Sequence, residues 1–148
     1  MQKEESNSSL GRLVNSMNAM DGAYALKAKQ LDEKPNVMLI LYELTTRESS
    51  QKQISDALLI PLSTINTVVR EMASRGLLAQ EPIHGSRREC LLKLTAKGRR
   101  YASNLLKPFQ EAERIALEET VGQYGPQFVD AFEKYVQALK REFGLGRR

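Results

Sequence analysis

Apolar residues recur along this chain at two spacings, and the two spacings divide it into helices and one short β segment. Leu10, Leu13, Val14, Met17, Met20 and Tyr24 lie on one stripe and predict a first helix over about 9–29, behind a polar, frayed segment 1–8. Pro35 then precedes VMLILYEL, where periodicity alone cannot separate a helix from a strand. Pro suits the first turn of a helix, and Met and Leu extend the run to about Thr45, so a short buried helix is expected. Ser50 and Gln53 fit a capping box, predicting a third helix over about 51–59 that buries Ile54, Ala57 and Leu58. Pro61 marks a turn. A fourth helix, about 62–75, carries Ile65, Val68, Val69 and Met72 on one face and has Gly76 placed as its C-terminal cap.

The period then shortens to two. LLAQEPI (77–83), HGSRR (84–88) and ECLLKL (89–94) read as a hairpin with Cys90, Leu92 and Leu94 on its buried face. Thr95 caps a long helix reaching to about 120, with Pro108 expected to kink it by crowding the carbonyl of Asn104. Gly122, Gly125 and Pro126 break the chain before a last helix, about 126–143, striped with Phe128, Phe132, Tyr135, Val136, Leu139 and Phe143. There is no internal repeat. The expected fold is mainly α with a small β-hairpin. Two short helices joined by a tight turn and followed by a basic-tipped hairpin describe a winged helix-turn-helix lobe.

Length and composition narrow the class. The 148 residues suffice for one domain with a real core, and 41% hydrophobic with 27% charged content is ordinary for a soluble protein. The longest apolar run, VMLILY, is far short of the roughly 20 residues that span a bilayer, so no membrane partner is expected. The polar N-terminus does not read as a signal peptide, and a single Cys excludes an intrachain disulfide; a cytoplasmic, reducing location fits. Net charge is +4, but its distribution says more. From His84 to Lys107 seven Lys/Arg face one acid, a net of +6; from Phe109 to Phe143 four bases face seven acids, a net of −3. A clustered basic face is the footprint of a polyanion binder, the alternative being a solvated surface that happens to be basic.

No catalytic constellation is visible. The one His, His84, is predicted at the hairpin tip, one His and one Cys make no metal cluster, and no Gly-rich phosphate loop appears. Neither an enzyme nor a cofactor is expected. In winged helix-turn-helix modules the second helix of the pair enters the major groove of DNA. Here its exposed positions include Ser63, Thr64, Asn66, Thr67 and Arg70. Asn can pair with adenine edges, Arg with guanine, and a Thr methyl can pack on thymine. Each residue alone is equally the wet face of an amphipathic helix; the turn before it and the hairpin after it favour double-stranded DNA.

ISDALLIPLSTINTVVREMASRGLL and RRECLLKLTAKG, with its LT-x-x-G after a basic hairpin, resemble MarR-family transcriptional regulators over about Pro35 to Gly98. The resemblance implies a homodimer, with 9–34 and 99–148 supplying dimerisation helices around a DNA-binding lobe, 35–98. It also implies a pseudo-palindromic DNA site and, in many members, a small-molecule effector. It places the wing arginine at Arg88, in the minor groove, with Arg87 beside it near phosphate. Many family wings carry Asp where this chain has Ser86, which supplies no charge and implies a weaker or less ordered wing contact.

Other residues carry secondary expectations. Lys97, Arg99 and Arg100, on the first turn of the long helix, are candidates for phosphate contacts. Met17, Met20 and Met38 are candidates for an effector cavity, against the ordinary reading as core. Cys90 has arginine neighbours that lower a thiol pKa, but lies on the strand face expected to be buried, where Cys packs as a small hydrophobe. The competing reading of the whole chain is a winged-helix interaction adaptor or ligand sensor that does not read DNA.

Overall fold

A computed structural model describes residues 2–86 and 88–145, with side chains from residue 8 onward. Among them six helices and three short strands follow in the order α1 (Gln2–Gln30), α2 (Pro35–Thr46), β1 (Ser49–Ser50), α3 (Gln51–Leu58), α4 (Leu62–Ser74), β2 (Leu78–Pro82), β3 (Cys90–Leu94), α5 (Ala96–Tyr124) and α6 (Gln127–Glu142). α1 starts at Gln2 rather than near residue 9. Gln, Lys and Glu are good helix formers, and propensity extends the helix where no apolar stripe marked it. No described helix is long and apolar enough to cross a membrane.

The chain divides into two compact units, one up to Leu106 and one from Lys107. The first holds nearly all of the core. Pro35 occupies the first turn of α2, which buries Val37, Met38, Ile40, Leu41 and Leu44. α4 buries the four residues its periodicity singled out, Ile65, Val68, Val69 and Met72. α3 buries Ile54 alone: Leu58 is half-buried and Ala57 exposed, because two turns of helix present only a narrow face to the core.

The hairpin is part of a three-stranded antiparallel sheet in the order β1-β3-β2. Leu78 pairs with Leu94 and Pro82 with Cys90, while β1 pairs Ser49 with Leu92 and Ser50 with Leu91. Two serines carry no alternating pattern, so β1 was invisible to periodicity. Ser50 also caps α3: its Oγ accepts from Gln53 N at 3.1 Å, and Gln53 Oε1 accepts from Ser50 N at 2.9 Å.

Two turns position α4. Leu59 closes α3 in the left-handed region, φ 54°, a conformation that costs a side-chain-bearing residue roughly 1–2 kcal/mol. Gly76 (φ 74°) closes α4 in a Schellman arrangement: Leu77 N donates to Met72 O at 3.0 Å and Gly76 N to Ala73 O at 2.9 Å. The LT-x-x-G stretch then docks on this turn. Thr95 N donates to Leu77 O at 3.1 Å, and Thr95 Oγ1 accepts from Gly98 N at 2.9 Å. A Cβ on Gly98 would lie 1.8 Å from Leu77 O, so the glycine is required by close approach.

α5 continues through Pro108 as a single helix. In the second unit, α6 has no buried residue; Phe128 and Phe132 stack on each other, ring centroids 6.2 Å apart.

Candidate nucleic-acid interface

α4 shows one face to the core and the other to solvent. Ser63, Thr67 and Arg70 are exposed; Thr64 and Asn66 are half-buried. Thr67 Oγ1 donates back to Ser63 O at 3.1 Å, which satisfies its hydroxyl within the helix. Asn66 Nδ2 donates to Gln51 Oε1 at 3.2 Å, fixing the carboxamide with one N–H and the carbonyl oxygen left over. Gln51, the first residue of α3, is therefore a neighbour of this face of α4 that spacing did not reveal. Only the folded helix pair brings residues 51 and 66 together.

The hairpin tip stands beside this surface. Ser86 Oγ accepts from Glu89 N at 3.1 Å and from Arg88 N at 3.4 Å. The serine thus orders the backbone under Arg88, a role the comparison with an aspartate did not suggest. Arg88 is exposed, and it lines a cleft of about 330 Å³ together with Asn66, Gln51, Gln80, Glu89 and Cys90. Arg88 and Asn66 therefore open onto the same space. Arg87 lies outside the described residues. Cys90 is half-buried, not buried: at the Pro82 end of the sheet β3 has passed beyond the core that covers Leu92 and Leu94.

The basic window is less free than its count suggests. The sheet places Lys93 Nζ 2.7 Å from Glu81 and 3.7 Å from Glu48, two acids outside that window. The hydrogen bond with Glu81 is the main reason its pKa is raised. Lys97 Nζ donates to Arg75 O at 2.8 Å, at the C-terminal cap of α4, where a cation suits the helix dipole. Arg99 Nη1 donates to Leu94 O at 2.9 Å. Arg100 is exposed and has no protein partner among the described residues.

The family profile of the winged helix DNA-binding domain matches residues 34–98. Among solved structures, a MarR family regulator from Neisseria meningitidis is 23% identical, with 92% of this chain and 94% of that one aligned at a TM-score of 0.71. A MarR family transcriptional regulator from Listeria monocytogenes, complexed with 26mer DNA, is 18% identical, covering 94% and 97% at a TM-score of 0.72. Residues 34–98 match the winged-helix domain, and the chain shares the fold of these structures. NadR in complex with 4-hydroxyphenylacetate shares the fold at 16% identity, covering 84% and 88% with a TM-score of 0.69. Among curated protein sequences, nothing matches the chain.

The three candidate methionines differ in environment. Met38 is core, while Met17 and Met20 lie on α1, half-buried and exposed. No group of three or more His, Cys, Asp or Glu among the described residues could hold a metal.

A different cluster went unnoticed in the sequence. Glu33, in the turn between α1 and α2, is 5% exposed. Arg75 Nη1 and Nη2 donate to its two carboxylate oxygens at 3.2 and 2.8 Å. Tyr101 of α5 donates to Oε2, and Lys34 N donates to Oε1 at 2.9 Å. The Arg75 guanidinium lies 5.2 Å from the centre of the Tyr101 ring. Burial pushes the Glu33 pKa up, but the bonds from Arg75, Tyr101 and Lys34 outweigh it and hold the carboxyl below its ordinary value. The bond to Glu33 raises Arg75; burial, followed by the bond to Glu33, raises Tyr101. Residues 33, 75 and 101 are far apart in sequence and lie on no common period, so nothing in the chain announced them.

Proposed function

We propose that the protein is a DNA-binding transcriptional regulator, a repressor that acts in the cytoplasm as a homodimer. α4 enters the major groove with Ser63, Thr64, Asn66, Thr67 and Arg70 at base edges or nearby phosphates, and the wing places Arg88 in the adjacent minor groove with Arg87 beside it. The observation that carries this reading is the shared cleft: Asn66 and Arg88, from separate elements, open onto one space. The Listeria neighbour bound to DNA supports it. Ser86 contributes by ordering the tip, and Arg100 serves phosphate more directly than Lys97 or Arg99, whose donors already hold backbone carbonyls.

The dimer is supported by the apolar residues that the second unit leaves uncovered, Phe128, Phe132 and Val136 on one stripe of α6. Two copies present two recognition helices about 34–36 Å apart, one turn of DNA. A small-molecule effector that releases the DNA completes the reading; NadR, with the same fold, holds 4-hydroxyphenylacetate.

Selection of bound duplexes from a random pool tests all the DNA claims together. The expected product is a pseudo-palindrome with an A·T-rich flank under the wing. A pool that returns no enriched duplex sinks the reading. Arg88→Ala is expected to relax the A·T preference at the flank. Arg100→Ala should reduce the slope of log affinity against log salt by about 1.

A further inference from the structure

Hydrogen bonds from outside the helix pair converge on the C-terminal end of the recognition helix. Leu62 and Ser63 are exposed, Ile65 is buried and Asn66 bonds Gln51 of α3, and the C-terminal end is tied from two further directions. From the α1–α2 turn, Glu33 grips Arg75 through both oxygens, and Lys34 Nζ reaches Glu71 at 2.7 Å. From α5 and the Thr95 that precedes it, Tyr101 bonds the same Glu33, Lys97 covers the Arg75 carbonyl at 2.8 Å, and Thr95 Oγ1 donates to Gly76 O at 2.6 Å. α1 and α5 are the two long helices that begin or end at the lobe. Directional bonds at that end fix how α4 meets the α1–α2 turn and α5.

We infer that Glu33, Arg75 and Tyr101 are positioning residues that set the direction of α4 relative to α1 and α5, and through it the half-site spacing that the protein accepts on DNA. This rests on the homodimeric DNA-binding reading above. The geometry favours a directional role over mere stabilisation. A carboxylate gripped by a planar fork and a phenol at once admits one arrangement of its three elements. An apolar contact of similar area would tolerate sliding. The Arg75 guanidinium also lies over the Tyr101 ring, a cation–π contact that adds to the hold on the fork.

The test uses two substitutions that leave net charge, and therefore non-specific attraction to phosphate, unchanged. Tyr101→Phe removes the hydroxyl and keeps the ring under Arg75. Arg75→Lys keeps the cation and removes the fork. Parent and variants, as full chains, are first checked for folding by circular dichroism. They are then titrated with the duplex selected by the parent, with the same duplex carrying one base pair inserted or deleted between half-sites, and with random duplex. The ratio of affinities for correct and altered spacing is expected to fall by about two- to thirty-fold in the variants. Random-duplex affinity and its salt slope should stay as in the parent. An unchanged spacing ratio in a folded variant overturns the inference while leaving the DNA reading intact. A loss of affinity equal on all three duplexes also overturns it, since that marks a general weakening. If one variant fails to fold, the other decides. A parent that shows no preference among the duplexes overturns the functional reading itself, a separate outcome.

Discussion

α4 and α6 are built on the same pattern, a single apolar stripe at helical spacing with a polar face opposite. In α4 the stripe is closed: Ile65, Val68, Val69 and Met72 are all buried. In α6 it stays open: Phe128, Phe132 and Val136 are 39%, 38% and 38% exposed, and no residue of the helix is buried. Both helices would be predicted amphipathic with equal assurance. Periodicity states that a face wants covering and is silent on what covers it. For α4 the cover comes from elements nearby in the chain. For α6 the proposed cover is a second copy, so its contribution to stability depends on protein concentration where that of α4 does not.

Breaking the comparison begins with the closed stripe. Ile65→Ala should cost about 2–5 kcal/mol, read as a lowered urea midpoint by the same amount at every protein concentration. Phe132→Ser should weaken self-association by about 2 kcal/mol, the scale of an interface hot spot. Sedimentation equilibrium reads that loss directly, and the melting temperature should fall below the parent's by more at low protein concentration than at high. If the parent shows no such dependence, the open stripe is covered in some other way and the contrast with α4 fails.

The packing of the lobe can be sharpened at its tightest point. Gly98→Ala must displace the Leu77 carbonyl and should cost about 1–3 kcal/mol, measured by thermal unfolding. Leu59→Gly should act in the opposite direction. It relieves a left-handed residue whose side chain is largely exposed, for a gain of about 1 kcal/mol in unfolding free energy. The last expected effect is a pH dependence set by the buried carboxylate. Glu33 has a folded pKa below its unfolded value, so it stabilises the fold above the ordinary carboxylate range of about 4.3 and loses that contribution as pH falls through the lower, folded value. The acid limb of a stability–pH curve should therefore be shallower in Glu33→Gln than in the parent.

Much of this could be read before folding, and for local reasons. The capping box at Ser50 and Gln53, the proline that opens α2, the four-residue face of α4, the left-handed cap at Gly76 and the N-cap at Thr95 all depend on residues within a turn of one another. Backbone sterics and unpaired helix-end donors impose those preferences wherever the segment sits. The alternation of Leu92 and Leu94 announced a strand for the same reason, since a pleat is a property of the strand itself.

Other features needed the chain to come together in space. β1 exists because a ladder partner is available to two residues with no pattern of their own. Cys90 emerged from the core because burial ends where neighbouring elements end, and no count along a strand locates that edge. Lys93 met Glu81 and Glu48 because charges pair by distance across a sheet, whatever their separation in sequence. Glu33, Arg75 and Tyr101 converge from three elements, and Asn66 meets Gln51 across the helix pair. Local chemistry is written in short words that each segment carries alone. Electrostatic pairing and burial are relations between segments, and they acquire values only when the backbone has brought those segments within a few ångströms.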